Sequence, residues 1–210
     1  VLITTYLLKR DLKIYRCDLK WFVVFTLVDA TIFQLFLTYG IAKTGAGLGS
    51  VLIDSQPLLV ALLARVIFGN LINPIGWLGL LCGLGGIIFL GVPKELLQNW
   101  LLMSEKNISD ITFNVGELWM LGASLAMALG TILIRFTCTK SDPVAVTGWH
   151  MVLGSFPLII KHCLQTNFQL IPNWSISDWG LMAFASIFGG ALAYGLFFYF
   201  ANNKEITGFS

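Results

Sequence analysis

Long apolar runs, separated by short polar connections, occupy most of the chain. A transmembrane α-helix needs about 20 mainly apolar residues. Six complete runs come close to that length: residues 21–41, 46–68, 75–92, 118–136, 144–163 and 179–201. Residues 1–8 are predicted to be the end of an earlier span. Because the apolar residues run continuously instead of alternating with polar ones, the pattern predicts helices and not strands.

The composition agrees with this pattern of spans. The mean hydropathy is +0.81 and charged residues make up 11% of the chain, against about 25% in a typical soluble domain. A bilayer can cover this much apolar surface, whereas the core of a soluble domain cannot. The sequence therefore predicts an all-α, polytopic transmembrane helical bundle, with the lipid bilayer as its first partner.

Charge and cysteine usage exclude several other classes. A net charge of +2 gives no basic patch for nucleic acid. The cysteines lack metal-ligand spacing, so we expect neither a metal nor a cofactor. The sequence has no nucleophile elbow, no HExxH and no phosphate-binding loop, so we expect no enzyme activity.

Basic residues predict the orientation in the membrane. The loop at residues 9–20 carries five lysines and arginines. Placing it inside gives nine basic residues on the inner side and four on the outer side. Because basic residues concentrate in cytoplasmic loops, we expect loop 9–20 on the cytoplasmic or stromal side of an integral, multi-pass protein.

An internal repeat is suggested by three identities at a constant offset of 160 residues: Asp18 with Asp178, Tyr39 with Tyr199, and Ser50 with Ser210. The predicted orientation makes the first of the two helices run outward and the second run inward. Inverted repeats of this kind build many secondary transporters. Two unrelated helices with coincident residues are the alternative.

Three ionisable side chains fall deep inside predicted spans: Asp29, Asp54 and His150. Charges at membrane depth cost at least a few kcal/mol, which makes such residues functional candidates. In run 21–41, an α-helical period places Thr31 and Gln34 on one face and Asp29 on nearly the opposite face. One face could then line a cavity while the other meets a neighbouring helix.

The sequence allows two interpretations each for Asp54 and His150. Pro57 lacks an amide hydrogen and crowds the carbonyl of Ile53, which predicts an interrupted helix beside Asp54, as in transporter sites. A kinked packing helix with a satisfied Asp54 is the other interpretation. His150, next to Trp149, either hydrogen-bonds between helices as a neutral ring or carries a proton.

Two stretches of sequence carry a family resemblance. Residues 45–58 read GAGLGSVLIDSQPL, and residues 141–143 and 147–152 read SDP and TGWHMV. The first resembles the fourth helix of the EamA family in the drug/metabolite transporter superfamily. The second resembles a subgroup of that family from cyanobacteria-like bacteria and plastids. Many members have Gly-Glu where this chain has Gly69-Asn70.

This resemblance implies ten helices in two inverted five-helix repeats. Residues 1–92 would be the C-terminal part of the first repeat, from the end of helix two through helix five. Residues 93–115 would be the loop between repeats. Residues 116–210 would be the N-terminal part of the second repeat, helices six to eight, cut before helix nine. Helices one, nine and ten would be missing or cut.

In this family the solute cavity lies between the repeats, which implies wall positions at Gln34, Tyr39, Ser50, Asp54, Tyr194 and Tyr199. Together with the other intramembrane candidates, the predicted substrate-binding or translocation residues are Asp29, Gln34, Tyr39, Ser50, Asp54, Gln56, Trp149, His150, Tyr194 and Tyr199.

The resemblance implies a secondary transporter that exports a small metabolite or an amino-acid-like solute by alternating access, with protons as a candidate coupling ion. The membrane would be a bacterial inner membrane or a plastid envelope. A membrane scaffold or sensor that transports nothing is the alternative function.

Gly76, Gly79, Gly83 and Gly86 form a glycine face, which predicts close helix packing. The sequence does not determine whether the protein forms a homodimer.

Overall fold

The computed structural model describes residues 1–7, 9–69, 72–91, 114–165 and 174–203, and within them every regular element is a helix. The α-helices are α1 (Leu2–Leu7), α2 (Leu19–Phe25), α3 (Phe33–Thr44), α4 (Ala46–Ile53), α5 (Gln56–Phe68), α6 (Pro74–Gly91), α7 (Val115–Thr137), α8 (Pro143–Gln165), α9 (Ile176–Phe184) and α10 (Ala193–Asn203). Two π-helices, π1 (Thr26–Ile32) and π2 (Ala185–Leu192), continue α2 into α3 and α9 into α10.

Five helical segments in the described part are long and apolar enough to cross a membrane: Leu19–Thr44, Ala46–Phe68, Val115–Thr137, Pro143–Gln165 and Ile176–Ala201. The predicted all-α, polytopic class is therefore confirmed. The predicted run at residues 75–92 forms α6, Pro74–Gly91. Most of the predicted loop 93–115 lies outside the described residues, and α7 already begins at Val115.

Residues at the helix ends explain where several helices begin and stop. Gly69 ends α5 in the left-handed conformation, with φ 68°, and its N–H donates to the carbonyl of Arg65, as glycine commonly does after a helix. α6 begins at Pro74, where a missing amide hydrogen costs nothing. At the start of α9, Ser175 and Asp178 form a reciprocal capping box.

The chain divides into two compact units. The first comprises Val1–Ile32 and Leu129–Phe209, and the second comprises Phe33–Ala128. The core of the first unit is a cluster of buried apolar side chains: Phe22, Phe25, Ile134, Val146, Phe198 and Ala201. In the second unit, α3 approaches α7 closely at Gly40. A Cβ at this position would lie 2.4 Å from the sulfur of Met120, so only glycine fits there without a shift.

The two π-helices occupy corresponding positions along the chain. An offset of 160 residues carries Thr26–Ile32 onto residues 186–192, which lie within Ala185–Leu192. This is the same offset that relates the identities found in the sequence. π-Helices are rare and occur frequently at functional sites, so this coincidence draws attention to the residues that π1 and π2 carry.

Candidate functional site

Asp29 and His150, two of the predicted site residues, meet in the interior of the first unit. Asp29 lies in π1 and His150 lies in α8, and each is 1% exposed. Oδ2 of Asp29 is 3.0 Å from Nε2 of His150. The structure thus pairs the carboxyl within the first span with the histidine for which the sequence left two roles open, a hydrogen bond between helices or proton transfer.

A second hydrogen bond of His150 identifies its protonated nitrogen. Nδ1 lies 2.7 Å from the backbone oxygen of Thr147, one turn earlier in α8. A carbonyl oxygen can only accept a hydrogen bond, so we assign a hydrogen to Nδ1 from this network. This leaves Nε2 to face Asp29.

Apolar rings surround the pair. The ring of Phe25 lies 4.5 Å from the imidazole and that of Phe198 lies 5.6 Å away, measured between centroids, and both phenylalanines are fully buried. The half-buried ring of Tyr194 lies 5.7 Å from Phe198. The carboxyl and the imidazole therefore sit in a buried, largely apolar pocket, where a charge without a partner is costly.

The other carboxyl oxygen of Asp29 occupies space that Gly130 leaves open. Oδ1 is buried and accepts no hydrogen bond in the described part of the structure. A Cβ on Gly130, in α7, would lie 2.1 Å from this oxygen. Gly130 is thus required for the carboxyl to fit, and neither hydropathy nor spacing in the sequence indicated this.

The residues after Asp29 bind the same helix, α8. Thr31 Oγ1 donates to the carbonyl of Gly154 at 3.1 Å, and a Cβ on Gly154 would lie only 2.1 Å from the Cβ of Ala30. The sequence predicted that Asp29 and Thr31 lie on nearly opposite faces of the helix, so that only one of them meets a given neighbouring helix. This prediction is wrong, because both side chains hydrogen-bond to α8. The close approach of Ala30 to Gly154 brings the side chains on either side of Ala30 within reach of α8.

Trp149 and Tyr199 contact the polar loop at residues 9–18. The indole Nε1 of Trp149 donates to the carbonyl of Leu12 at 3.0 Å. The guanidinium of Arg10 lies 5.3 Å from the ring centroid of Tyr199. Arg10 and Tyr199 also line a cavity of about 510 Å³ in the first unit, whose other walls are apolar and include Ile187, Ala191 and Leu192 of π2.

Asp18 holds this loop against residues 139–141. Its carboxylate accepts hydrogen bonds from the backbone N–H of Lys140 and Ser141, at 3.0 and 2.8 Å, and from the hydroxyls of Ser141 and Thr139. Burial by itself would raise the pKa of Asp18, but these hydrogen bonds outweigh it and lower the pKa to about 2. Arg10 and Asp142, 3.1 Å apart, add an ion pair.

In the second unit, the helix is interrupted at the predicted place. α4 ends at Ile53 and α5 begins at Gln56, with Pro57 in its first turn. The hydroxyl of buried Ser55 lies 2.6 Å from that of Ser124 in α7, which anchors the interruption. Asp54 is exposed, and its carboxylate makes no hydrogen bond or ion pair within the described residues.

The remaining predicted residues of the second unit differ in exposure. Gln56 is buried, Gln34 is half-buried and Ser50 is exposed. The hydroxyl of Ser50 donates to the carbonyl of Gly47 at 2.8 Å. Tyr39, 39% exposed, lies 5.7 Å from the ring of Trp119.

The ten predicted residues therefore divide between the units. Asp29, Trp149, His150, Tyr194 and Tyr199 belong to the first unit, and Gln34, Tyr39, Ser50, Asp54 and Gln56 belong to the second. Within the described ranges, no group of three or more histidine, cysteine or acidic side chains could hold a metal ion.

Comparison with known proteins adds a family match. The sequence model of the EamA-like transporter family matches residues 1–92 and 114–207. A protein of Synechocystis named an uncharacterized transporter is 49% identical over 195 residues, which cover 90% of this chain and 58% of that protein. The WAT1-related, chloroplastic protein of Arabidopsis thaliana is 43% identical over 193 residues, which cover 89% of this chain and 44% of that protein.

A more distant relative is the uncharacterized transporter YoaV of Bacillus subtilis, 26% identical over 194 residues that cover 92% of this chain and 61% of that protein. The chain thus spans between 44% and 61% of the length of these three relatives. No solved structure matches the chain.

Proposed function

The chain belongs to the EamA-like transporter family, and from that premise we propose that the protein is a secondary transporter that exports a small metabolite or an amino-acid-like solute by alternating access. Protons are the proposed coupling ion. The proposed membrane is a bacterial inner membrane or a plastid envelope, with loop 9–20 on the cytoplasmic or stromal side.

The observation that carries the proposal is the exposed carboxylate of Asp54 at an interruption in an apolar span. Segment Ala46–Phe68 is one of the five candidate membrane spans. A carboxylate in such a segment is costly when it faces lipid and is therefore expected to face a cavity or a partner. Interrupted helices leave backbone groups that bind solutes and ions in secondary transporters.

The surroundings of Asp54 favour a solute with a cationic or donor group. Gly47 and Ser50 share one face of α4, and both of them and Asp54 are exposed. The carbonyl end of a helix carries partial negative charge, and Asp54 directly follows the end of α4. A carboxylate, a hydroxyl and a helix C-terminus together suit an ammonium group, which supports the amino-acid-like class of solute.

Alternating access is supported by the repeat pattern. The family match falls in two stretches, 1–92 and 114–207, and the two π-helices are related by the offset of 160 residues. Transporters built from inverted repeats expose a midplane site to each side in turn by rocking one repeat against the other.

The test is solute flux by the full-length protein in proteoliposomes. Vesicles are loaded with a pool of proteinogenic amino acids and small sugars, and the external medium is analysed by mass spectrometry with and without a pH gradient. We expect one or more pool members to leave the vesicles faster than from protein-free vesicles. No accelerated efflux of any member, from protein shown to be folded, would favour the scaffold or sensor.

A further inference from the structure

We propose that Asp29 and His150 form a single proton-binding site, in which one proton is held between Oδ2 and Nε2 as an electrically neutral pair and fastens π1 to α8. This rests on the proposed function, because the site would carry the coupling proton. It also makes a claim about the resting protein that can be tested without any solute.

The first step is the contact between Oδ2 and Nε2 at 3.0 Å. Since Nδ1 donates to the carbonyl of Thr147, a neutral ring presents the lone pair of Nε2 to Asp29. Two lone pairs at this distance repel each other unless a proton lies between them. The geometry therefore requires one proton in the contact, either on the carboxyl or on the imidazole.

The second step decides which group holds the proton. An ion pair would place negative charge on Oδ1, which is buried and accepts no hydrogen bond in the described part of the chain. Buried ion pairs are favourable only when their remaining polar atoms are also satisfied. A neutral carboxyl leaves only an uncharged carbonyl oxygen in that position, so Oδ2–H donates to Nε2.

Within the described residues, no charged side chain of the neighbouring elements forms an ion pair or hydrogen bond with Asp29 or His150. α2 and α7 present Phe25 and Gly130 to the pair. From α10, the titratable group near this cluster is the phenol of Tyr194, whose ring lies 5.7 Å from that of Phe198. A phenol is neutral near pH 7, so the net charge of this cluster depends on whether the shared proton is bound.

Loss of the proton would disrupt the helix contact. The proton leaves Oδ2 for water, and the carboxylate then faces the Nε2 lone pair inside a pocket of phenylalanine rings. This repulsion is relieved only if Asp29 moves away from α8 or if water enters the pocket. The adjacent contacts of Ala30 and Thr31 with Gly154 lie on the same stretch of π1, so they would loosen together. Proton binding would thus be linked to the packing of π1 on α8.

Infrared spectroscopy of the full-length protein in lipid tests the protonated carboxyl. We expect the carbonyl stretch of an un-ionised acid at neutral pH, shifted in D₂O, in the wild type and in Asp54→Asn, and absent from Asp29→Asn. Asp54→Asn is the matched control because, among residues 1–210, it removes the other carboxyl that lies within a predicted span. An identical acid band in Asp29→Asn would overturn the proposal.

A measurement on the unmodified protein guards against a variant that does not fold. Residues 1–210 contain two histidines, His150 and His162, so in nitrogen NMR of histidine-labelled full-length protein the signals of His150 are those that persist in His162→Gln and are missing from His150→Gln. We expect a neutral ring with its hydrogen on Nδ1, and an imidazolium at neutral pH would overturn the proposal. Absence of solute flux in the wild type, with both spectroscopic signatures present, would instead count against the proposed transport function.

Discussion

His150 Nε2 lies 3.0 Å from Asp29 Oδ2, although the two residues are 121 positions apart in the chain. The contact joins a π-helix in the first span to the middle of α8, and both side chains are almost completely buried. A polar pair in such a place is expensive unless its hydrogen bonds are made, so the hydrogen bond between these two side chains is important for the packing of the two helices.

This pair predicts how transport responds to protons. In Asp29→Asn the amide cannot exchange a proton near neutral pH, so we expect an imposed pH gradient to cease accelerating solute flux. The comparison is flux with and without the gradient in proteoliposomes. Asp11→Asn, an exposed loop carboxylate, is the control and should keep the response. An undiminished response in Asp29→Asn would assign Asp29 a purely structural role.

Gly130 predicts a steric test of the same site. A Cβ at this position would lie 2.1 Å from Asp29 Oδ1, so Gly130→Ala should destabilise the protein by about 1–3 kcal/mol, as overpacking does. Thermal unfolding in detergent measures this. Gly180→Ala is the control, because nothing lies within 4 Å of its Cβ position.

A double variant separates the clash from other effects of Gly130→Ala. In an Asp29→Ala background the carboxyl is gone and only the Cβ of residue 29, 2.8 Å from the Cβ position of Gly130, is left to clash, so adding Gly130→Ala should cost less than it does alone. Such non-additivity is the signature of two residues in direct contact. Equal costs in both backgrounds would show that Asp29 is not what Gly130 accommodates.

Asp18 predicts a loss of stability in acid. Its pKa is lowered from 3.8 to about 2 in the folded protein, so its stabilising effect is complete above pH 4 and is lost as the pH falls toward 2. The shift corresponds to roughly 2 kcal/mol. Unfolding temperatures of the wild type and Asp18→Asn, measured in detergent, should converge over this interval. A constant difference between pH 5 and pH 2 would contradict this assignment.

The basic loop predicts the sidedness of two cysteines. Cys17 belongs to loop 9–20 and should face the cytoplasmic or stromal side, whereas Cys163, near the end of α8, should lie near the other surface. Single-cysteine variants are labelled in intact cells with a membrane-impermeant maleimide. Labelling of Cys17 but not Cys163 from outside would reverse the proposed orientation.

The sequence was sufficient for the helical class and for the interruption beside Asp54. Hydropathy reports the length and composition of each run, and Pro57 acts on the backbone of its own helix, so both are local properties. The resemblance to the family was also confirmed. These features need no knowledge of which helices become neighbours.

The arrangement around Asp29 could not be predicted in the same way. An α-helical period was assumed for run 21–41, whereas Thr26–Ile32 is a π-helix with a wider turn. The contacts of Ala30 with Gly154 and of Asp29 with Gly130 depend on how closely three helices approach. Glycine is common in transmembrane helices, so the sequence did not distinguish these two positions from the others.

The most direct test of the proposed transporter is to compare solute efflux from proteoliposomes that contain the full-length wild type or Asp54→Leu. Loss of a hydrogen bond to a charged group costs about 1.5–3 kcal/mol, or roughly 10- to 100-fold in solute affinity. At low solute concentration we therefore expect efflux through Asp54→Leu to fall to roughly a tenth or less, with the protein still inserted and folded. Efflux equal to the wild type would contradict a solute site at the interruption between α4 and α5.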